Sequence, residues 1–233
     1  ITAHPGIGAD SAAFFQNMAI SNFAGEYRYL LASPFGLRDH VLELIDREIA
    51  KGKDGYLFFK LNSLTDRQLI DKLAQASQAG VEIVMNIRGI CCLLPGVAGL
   101  TENITVFSIV GRYLEHSRIY QFGRGADADL YISSADFMTR NTQRRVEIAC
   151  PVLDSWCRNR LFHIIEALQK DNQKARILLS DGTYTTHHEK AEPFICQEYF
   201  QKETVPAPQN QDHHSSQSRR GITAKLLRLL HRQ

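Results

Sequence analysis

Between Glu26 and Ile87 the apolar residues change their spacing repeatedly, and this switching leaves few folds open. "EYRYLLAS" (Glu26–Ser33) has the aromatic and aliphatic character of a strand. From Phe35 to Ala50, Leu37, Val41, Leu44, Ile45 and Ile49 keep the spacing of one helical face. Ser33-Pro34 ahead of them reads as a helix start, with proline near the first turn. "GYLFFKLNS" (Gly55–Ser63) is a short apolar strand. Thr65-Asp66-Arg67-Gln68 matches a capping box, and Leu69, Ile70, Leu73 and Ala76 carry a second helix towards Gly80. "VEIVMNI" (Val81–Ile87) follows as a third strand. This alternation predicts βαβ units and a parallel sheet.

After Gly89 the texture changes. "GICCLLPGVAGLTENI" is a loop punctuated by glycine and proline, and short strands follow in "TVFSIV", "SRIYQF", "DLYISSA" and "RRVEIACPV". Asp154 can cap a helix through Leu168, with Leu161, Ile164 and Ile165 inward. "ARILLSDGTY" closes the globular part. The predicted class is α/β, with a mixed, mostly parallel sheet flanked by helices. The domain is expected over residues 24–184. Residues 1–23 read as a loose lead-in from a missing upstream domain, since "ITAHPGIGAD" lacks a methionine and looks like the middle of something larger. Residues 185–233 read as a flexible polar tail. Its basic end carries Ile222, Leu226, Leu229 and Leu230 at helical spacing, a short docking helix with membrane-surface binding as the alternative.

With 44% hydrophobic and 22% charged residues, a packed core is expected and global disorder is not. A net charge of +2 does not argue for nucleic acid. Five cysteines without a CxxC read as reduced thiols in a cytoplasmic protein. No run approaches the roughly 18 apolar residues of a membrane span.

Four places could carry chemistry. Arg88 ends the third strand, where ligands of open α/β sheets sit, and Gly89 beside it lets backbone approach closely. An arginine there can fork two donors onto phosphate, and a surface arginine fits the position equally well. His116 and Arg118, two apart in an extended run, share a face. An imidazole and a guanidinium together could hold a phosphoryl group, but a core histidine and a surface arginine would look the same. Ser133, Ser134 and Asp136 cluster after a strand, followed by Arg140 and Asn141; they suit oxyanion contacts or an ordinary turn. Arg144, Arg145 and Glu147 nearby suit surface pairs. His188 and Lys190 in "HHEK" form an H-x-K without an apolar strand before it, and read as a decoy. Walker A, GxGxxG and zinc spacings are absent.

Taken together, "NIRGICCLLPGV", "SIVGRYLEHSRIY" and "YISSADFMTRNTQRRVE" resemble the C-terminal catalytic domain of bacterial polyphosphate kinase. "SPFGLRDHVLELIDREI" and "FFKLNSLTDRQLIDKLAQASQAGVEI" continue the resemblance upstream, and "KARILLSDGTY" continues it downstream. It covers Tyr29 to Tyr184, about two-thirds of the chain. The resemblance implies a phospholipase D-like domain and transfer of the terminal phosphate of ATP onto polyphosphate, through a phosphohistidine and with Mg2+. By the same resemblance Arg88 contacts nucleotide phosphate, and His116 is the second family histidine, which lines the site without being phosphorylated. His116 and Arg118 look like a degenerate H-x-K, and Ser133 to Asp136 fall where a G-S-x-N segment is expected. Ser134 is thereby implied as a phosphate contact. No aspartate stands at position 123, which is Gly123, so this half-site is expected to bind rather than attack.

The expected partners are ATP or ADP, polyphosphate and the remaining domains of the same enzyme, which should carry the Mg2+ ligands and the nucleophile. A homo-oligomer and peripheral membrane association stay open; nucleic acid and a membrane span are not expected. The alternatives are a stand-alone polyanion-binding module and a phosphodiesterase that dimerises to unite two half-motifs.

Overall fold

The computed structural model describes residues 2–186 and 192–203. Nine strands form one sheet: β1 (Leu31–Ala32), β2 (Tyr56–Leu61), β3 (Glu82–Ile87), β4 (Ile104–Ile109), β5 (Arg118–Phe122), β6 (Asp129–Ser133), β7 (Ile148–Pro151), β8 (Ala175–Leu178) and β9 (Tyr184–Thr186). Their lateral order is β1-β7-β6-β5-β2-β3-β4-β8-β9. The central strand β2 is buried along its whole length, which is why it reads as a continuous apolar run.

Period-two alternation along β2 sorts its residues between two cores. Leu57, Phe59 and Leu61 meet Leu37, Val41, Leu44 and Ile45 of α2 (Leu37–Ile49) and Leu69, Leu73 and Ala76 of α3 (Arg67–Gln78). Tyr56 and Phe58 face the other way, onto Leu161, Ile165 and Leu168 of α5 (Ser155–Lys170) and Cys196 of α6 (Cys196–Lys202). The α/β class with helices on both faces of a mixed sheet is therefore what forms.

Four expectations change. The sheet is not mostly parallel: only β2–β3 and β3–β4 pair that way, and the other ladders are antiparallel. The link from Phe122 to Asp129 is too short for a crossover, so β6 must return antiparallel beside β5. The lead-in forms α1 (Pro5–Ala19), anchored by buried Ile7 and Phe14. Buried Asp10 ties it down, accepting the backbone N–H groups of Tyr29 at 2.6 Å and Leu30 at 3.0 Å.

Nor does order stop at Tyr184. Strand β9 and helix α6 extend the compact unit to Glu203. Asp171, fully buried, secures this extension: one oxygen accepts the Lys174 N–H at 2.7 Å and the other the Cys196 N–H at 2.9 Å. Finally, Asp66 rather than Thr65 caps α3, accepting from Gln68 and Leu69. The "HHEK" residues His188 and Lys190, and the basic segment from Ile222 to Leu230, lie outside the described residues.

Candidate functional site at the carboxyl edge

Strand direction brings the candidate residues to one edge. β3 runs parallel to β2 and β5 antiparallel, so the ends of β2 and β3 meet the start of β5. The end of β6 and the starts of β7 and β8 fall on the same edge. Arg88, His116, Arg118 and Ser134 all sit there, outside the carboxyl ends of the parallel strands, where open α/β sheets present ligand-binding residues.

Arg88 is positioned by backbone and side chain alike. Its N–H donates to Leu61 O at 3.1 Å, and Gly89 N–H to Asn62 O at 2.9 Å. A Cβ on Gly89 would lie 3.0 Å from that Asn62 oxygen, so the close approach calls for glycine. The Arg88 Nε donates to Asn62 Oδ1 at 2.9 Å. This orients the guanidinium by one nitrogen, and its Nη groups keep no protein partner among the described residues. Arg88 and Gly89 line a cavity of about 480 Å3 together with Ser108, Lys174, Arg176 and Tyr184.

Arg118 is engaged differently. Its Nη2 and Nε donate to the two Asp136 oxygens at 2.8 and 3.2 Å, and its Nη1 donates to the His116 carbonyl at 2.9 Å. Asp136 also accepts from Asn62 N–H at 2.6 Å. Burial alone would raise the Asp136 carboxyl, but Arg118 and Asn62 outweigh it and hold the group below the usual range. The Arg118 fork, expected to meet phosphate, is instead neutralised by a buried carboxylate. A continuous chain Arg88–Asn62–Asp136–Arg118 thus spans the edge.

His116 itself is exposed, in the loop leading into β5. It is not among the walls of the Arg88 cavity. Its neighbours are clamped from two sides. Lys60, 1% exposed, reaches Glu115 at 3.2 Å and the Ser117 carbonyl at 3.3 Å. Burial pushes its ammonium below the usual lysine range, and Glu115 opposes that fall. Gln197 of α6 accepts from Tyr113 N–H at 3.0 Å, donates to Tyr113 O at 2.9 Å and donates to Glu115 at 2.9 Å. Sequence reading missed this clamp, although a lysine inside "YLFFKL" is a signal: lysine is almost never fully buried unless paired.

Ser134 Oγ accepts the Ile148 N–H at 3.1 Å, joining the end of β6 to β7 and leaving its hydroxyl proton to donate. Ser133 Oγ donates to the Ile148 carbonyl at 3.0 Å. Asn141, in the short helix α4 (Thr139–Gln143), donates to Glu147 at 2.6 Å, and the Arg145 carbonyl accepts from Ser33 Oγ at 2.6 Å, so both contacts hold local structure. Among the described residues no three His, Cys, Asp or Glu side chains gather to hold a metal ion. No helix among them is long and apolar enough to cross a membrane. What the edge can do is bind an anion with cations and backbone at strand ends.

Comparisons with known proteins identify the family. The family model of the polyphosphate kinase C-terminal domain 2 matches residues 30–197. The chain is 43% identical over 208 residues to polyphosphate kinase from Staphylococcus epidermidis, covering 88% of this chain and 28% of that protein. It is 46% identical over 179 residues to polyphosphate kinase 1 from Chlorobaculum tepidum, covering 76% and 26%. The solved structure of polyphosphate kinase from Porphyromonas gingivalis superposes with a TM-score of 0.79 at 37% identity, covering 85% of this chain and 31% of that one. The chain thus spans less than a third of the length of these relatives.

Proposed function

Because this chain belongs to the polyphosphate kinase C-terminal domain family, we propose that it supplies the phosphate-binding edge of an enzyme that moves the terminal phosphate of ATP onto polyphosphate. The observation that carries this reading is Arg88: one nitrogen is held by Asn62, and the residue lines a cavity that also holds Lys174 and Arg176. Guanidinium presents a planar fork suited to phosphate oxygens, and pre-orientation through Nε lowers the entropy lost on binding.

In this reading His116 contacts phosphate from the loop, without attacking it. Arg118 positions that loop through the His116 carbonyl, and Asp136 sets Arg118. Ser134 offers its remaining proton as a hydrogen-bond donor. The remaining parts of the reaction come from protein beyond these residues.

Calorimetric titration of the 233-residue chain with ATP and with tripolyphosphate tests this. Binding should weaken as salt rises past about 0.1 M, where exposed charges are screened within about 10 Å. Arg88→Ala should weaken it about tenfold, the loss of one charge-assisted hydrogen-bonding group. Binding that ignores both salt and Arg88→Ala would remove the edge from the reaction.

A further inference from the structure

Two cavities open at the carboxyl edge, and one residue belongs to both. The larger, about 480 Å3, has Arg88, Lys174 and Arg176 in its wall. The smaller, about 140 Å3, shares Lys174 and adds Arg112 and Lys202, with Glu198 opposing them. Neither Lys174 nor Arg176 forms an ion pair among the described residues. Both are exposed.

Their placement is built into the fold. Buried Asp171 accepts the backbone N–H groups of Gln173 at 3.1 Å and Lys174 at 2.7 Å through one oxygen. Through the other it accepts the first N–H of α6, that of Cys196, at 2.9 Å. A single carboxylate therefore fixes both the Lys174 turn and the helix that walls the smaller cavity. Along β8 (Ala175–Leu178), Ala175 packs into the core beneath α5, so Arg176 emerges on the opposite side, while Lys174 sits in the turn just before the strand. Arg176 pairs in register with Ser108 of β4, and the Ser108 Oγ donates to the Arg88 carbonyl at 3.1 Å. That ladder holds Arg176 of β8 and Arg88, the residue after β3, at a set spacing.

We propose that Lys174 and Arg176 form, with Arg88, a subsite for a condensed phosphate chain, and that Lys174 leads this chain from the larger cavity into the smaller. The inference rests on the phosphate-binding reading of the edge and extends it to residues outside the expected motifs. A single phosphate could not use both cavities at once. A linear polyanion could, because each of its units carries charge. Arg176 suits bidentate contact with one unit, and the flexible ammonium of Lys174 can follow the chain between cavities.

The test titrates the 233-residue chain with ATP, tripolyphosphate and a long inorganic polyphosphate. Lys174→Ala and Arg176→Ala should each weaken the long chain about fivefold, and Lys174→Arg should stay within about twofold. Lys202→Ala should weaken only the long chain. If ATP weakens in step with tripolyphosphate, the nucleotide's own phosphates enter the subsite; if ATP is unchanged, its occupant is the inorganic chain. Both results support the subsite. Wild-type affinity for all three ligands in Lys174→Ala and Arg176→Ala, alongside weakened binding in Arg88→Ala, would overturn the subsite and leave the functional reading standing. Unchanged long-chain affinity in Lys202→Ala would overturn the continuation into the smaller cavity. Absence of binding by the wild-type chain would overturn both readings.

Discussion

Asp136 accepts four hydrogen bonds, two from Arg118 and two from Asn62, with its side chain 8% exposed. Removing one partner leaves a buried carboxylate uncompensated, which typically costs 3–5 kcal/mol. Arg118→Ala should therefore lower unfolding stability by about 3 kcal/mol at neutral pH, as urea denaturation would measure. The pH dependence has a definite sign. The carboxyl is held below its unfolded value of about 3.9, so its stabilisation is complete above that value and is lost as pH falls through the lower folded one. The stability gap between wild type and Asp136→Asn should be full at pH 7 and should narrow below about pH 4. An unchanged gap would mean the carboxylate charge is not what holds the edge. Sequence reading named both Arg118 and Asp136 but could not pair them. Their meeting depends on the β5–β6 register, in which Arg118 stands opposite Ser133 and the chain then turns back.

Elements defined by local periodicity were legible, and those defined by distant partners were not. The α2 and α3 stripes each carry apolar residues at three- and four-residue spacing, so their helices could be read before any contact was known. The direction of β5 to β9 follows from pairing across the sheet, which no local pattern records. Helix α6 has only seven residues and a polar surface, so it resembled tail sequence. Its value lies in two buried residues, Cys196 and Gln197. Gln197 makes three hydrogen bonds to Tyr113 and Glu115, fastening the His116 loop to the body of the domain. Gln197→Ala should cost about 1–2 kcal/mol locally, since a net intramolecular hydrogen bond is worth about 1 kcal/mol. Hydrogen exchange at the Tyr113 amide should then speed up roughly tenfold, while exchange within β4 stays as it was. Equal acceleration in both places would point to global destabilisation, and no acceleration would free the loop from α6.

Taken as a whole, the carboxyl edge gathers cations around its cavities, and the candidate residues there include no activated nucleophile. Phosphoryl transfer through a phosphoenzyme needs a nucleophile made reactive by an adjacent base or a lowered pKa. His116 has the right chemistry, but its nearest sequence carboxylate, Glu115, is already engaged by Lys60 and Gln197. Its ring makes no hydrogen bond among the described residues. The thiols of Cys91, Cys150 and Cys196 are pushed up by burial, away from the reactive thiolate. Lys60 is buried and paired. Charge stabilisation of the kind proposed for Arg88 assists a nucleophile that is present and does not stand in for a missing one. The 233-residue chain incubated with radiolabelled ATP and a polyphosphate primer should therefore bind both and incorporate no label into acid-insoluble polymer. No labelled phosphohistidine should form at His116 either. Label in polymer, or on His116, would mean that the edge attacks as well as binds, and His116→Ala would then separate a nucleophilic imidazole from one that only contacts phosphate.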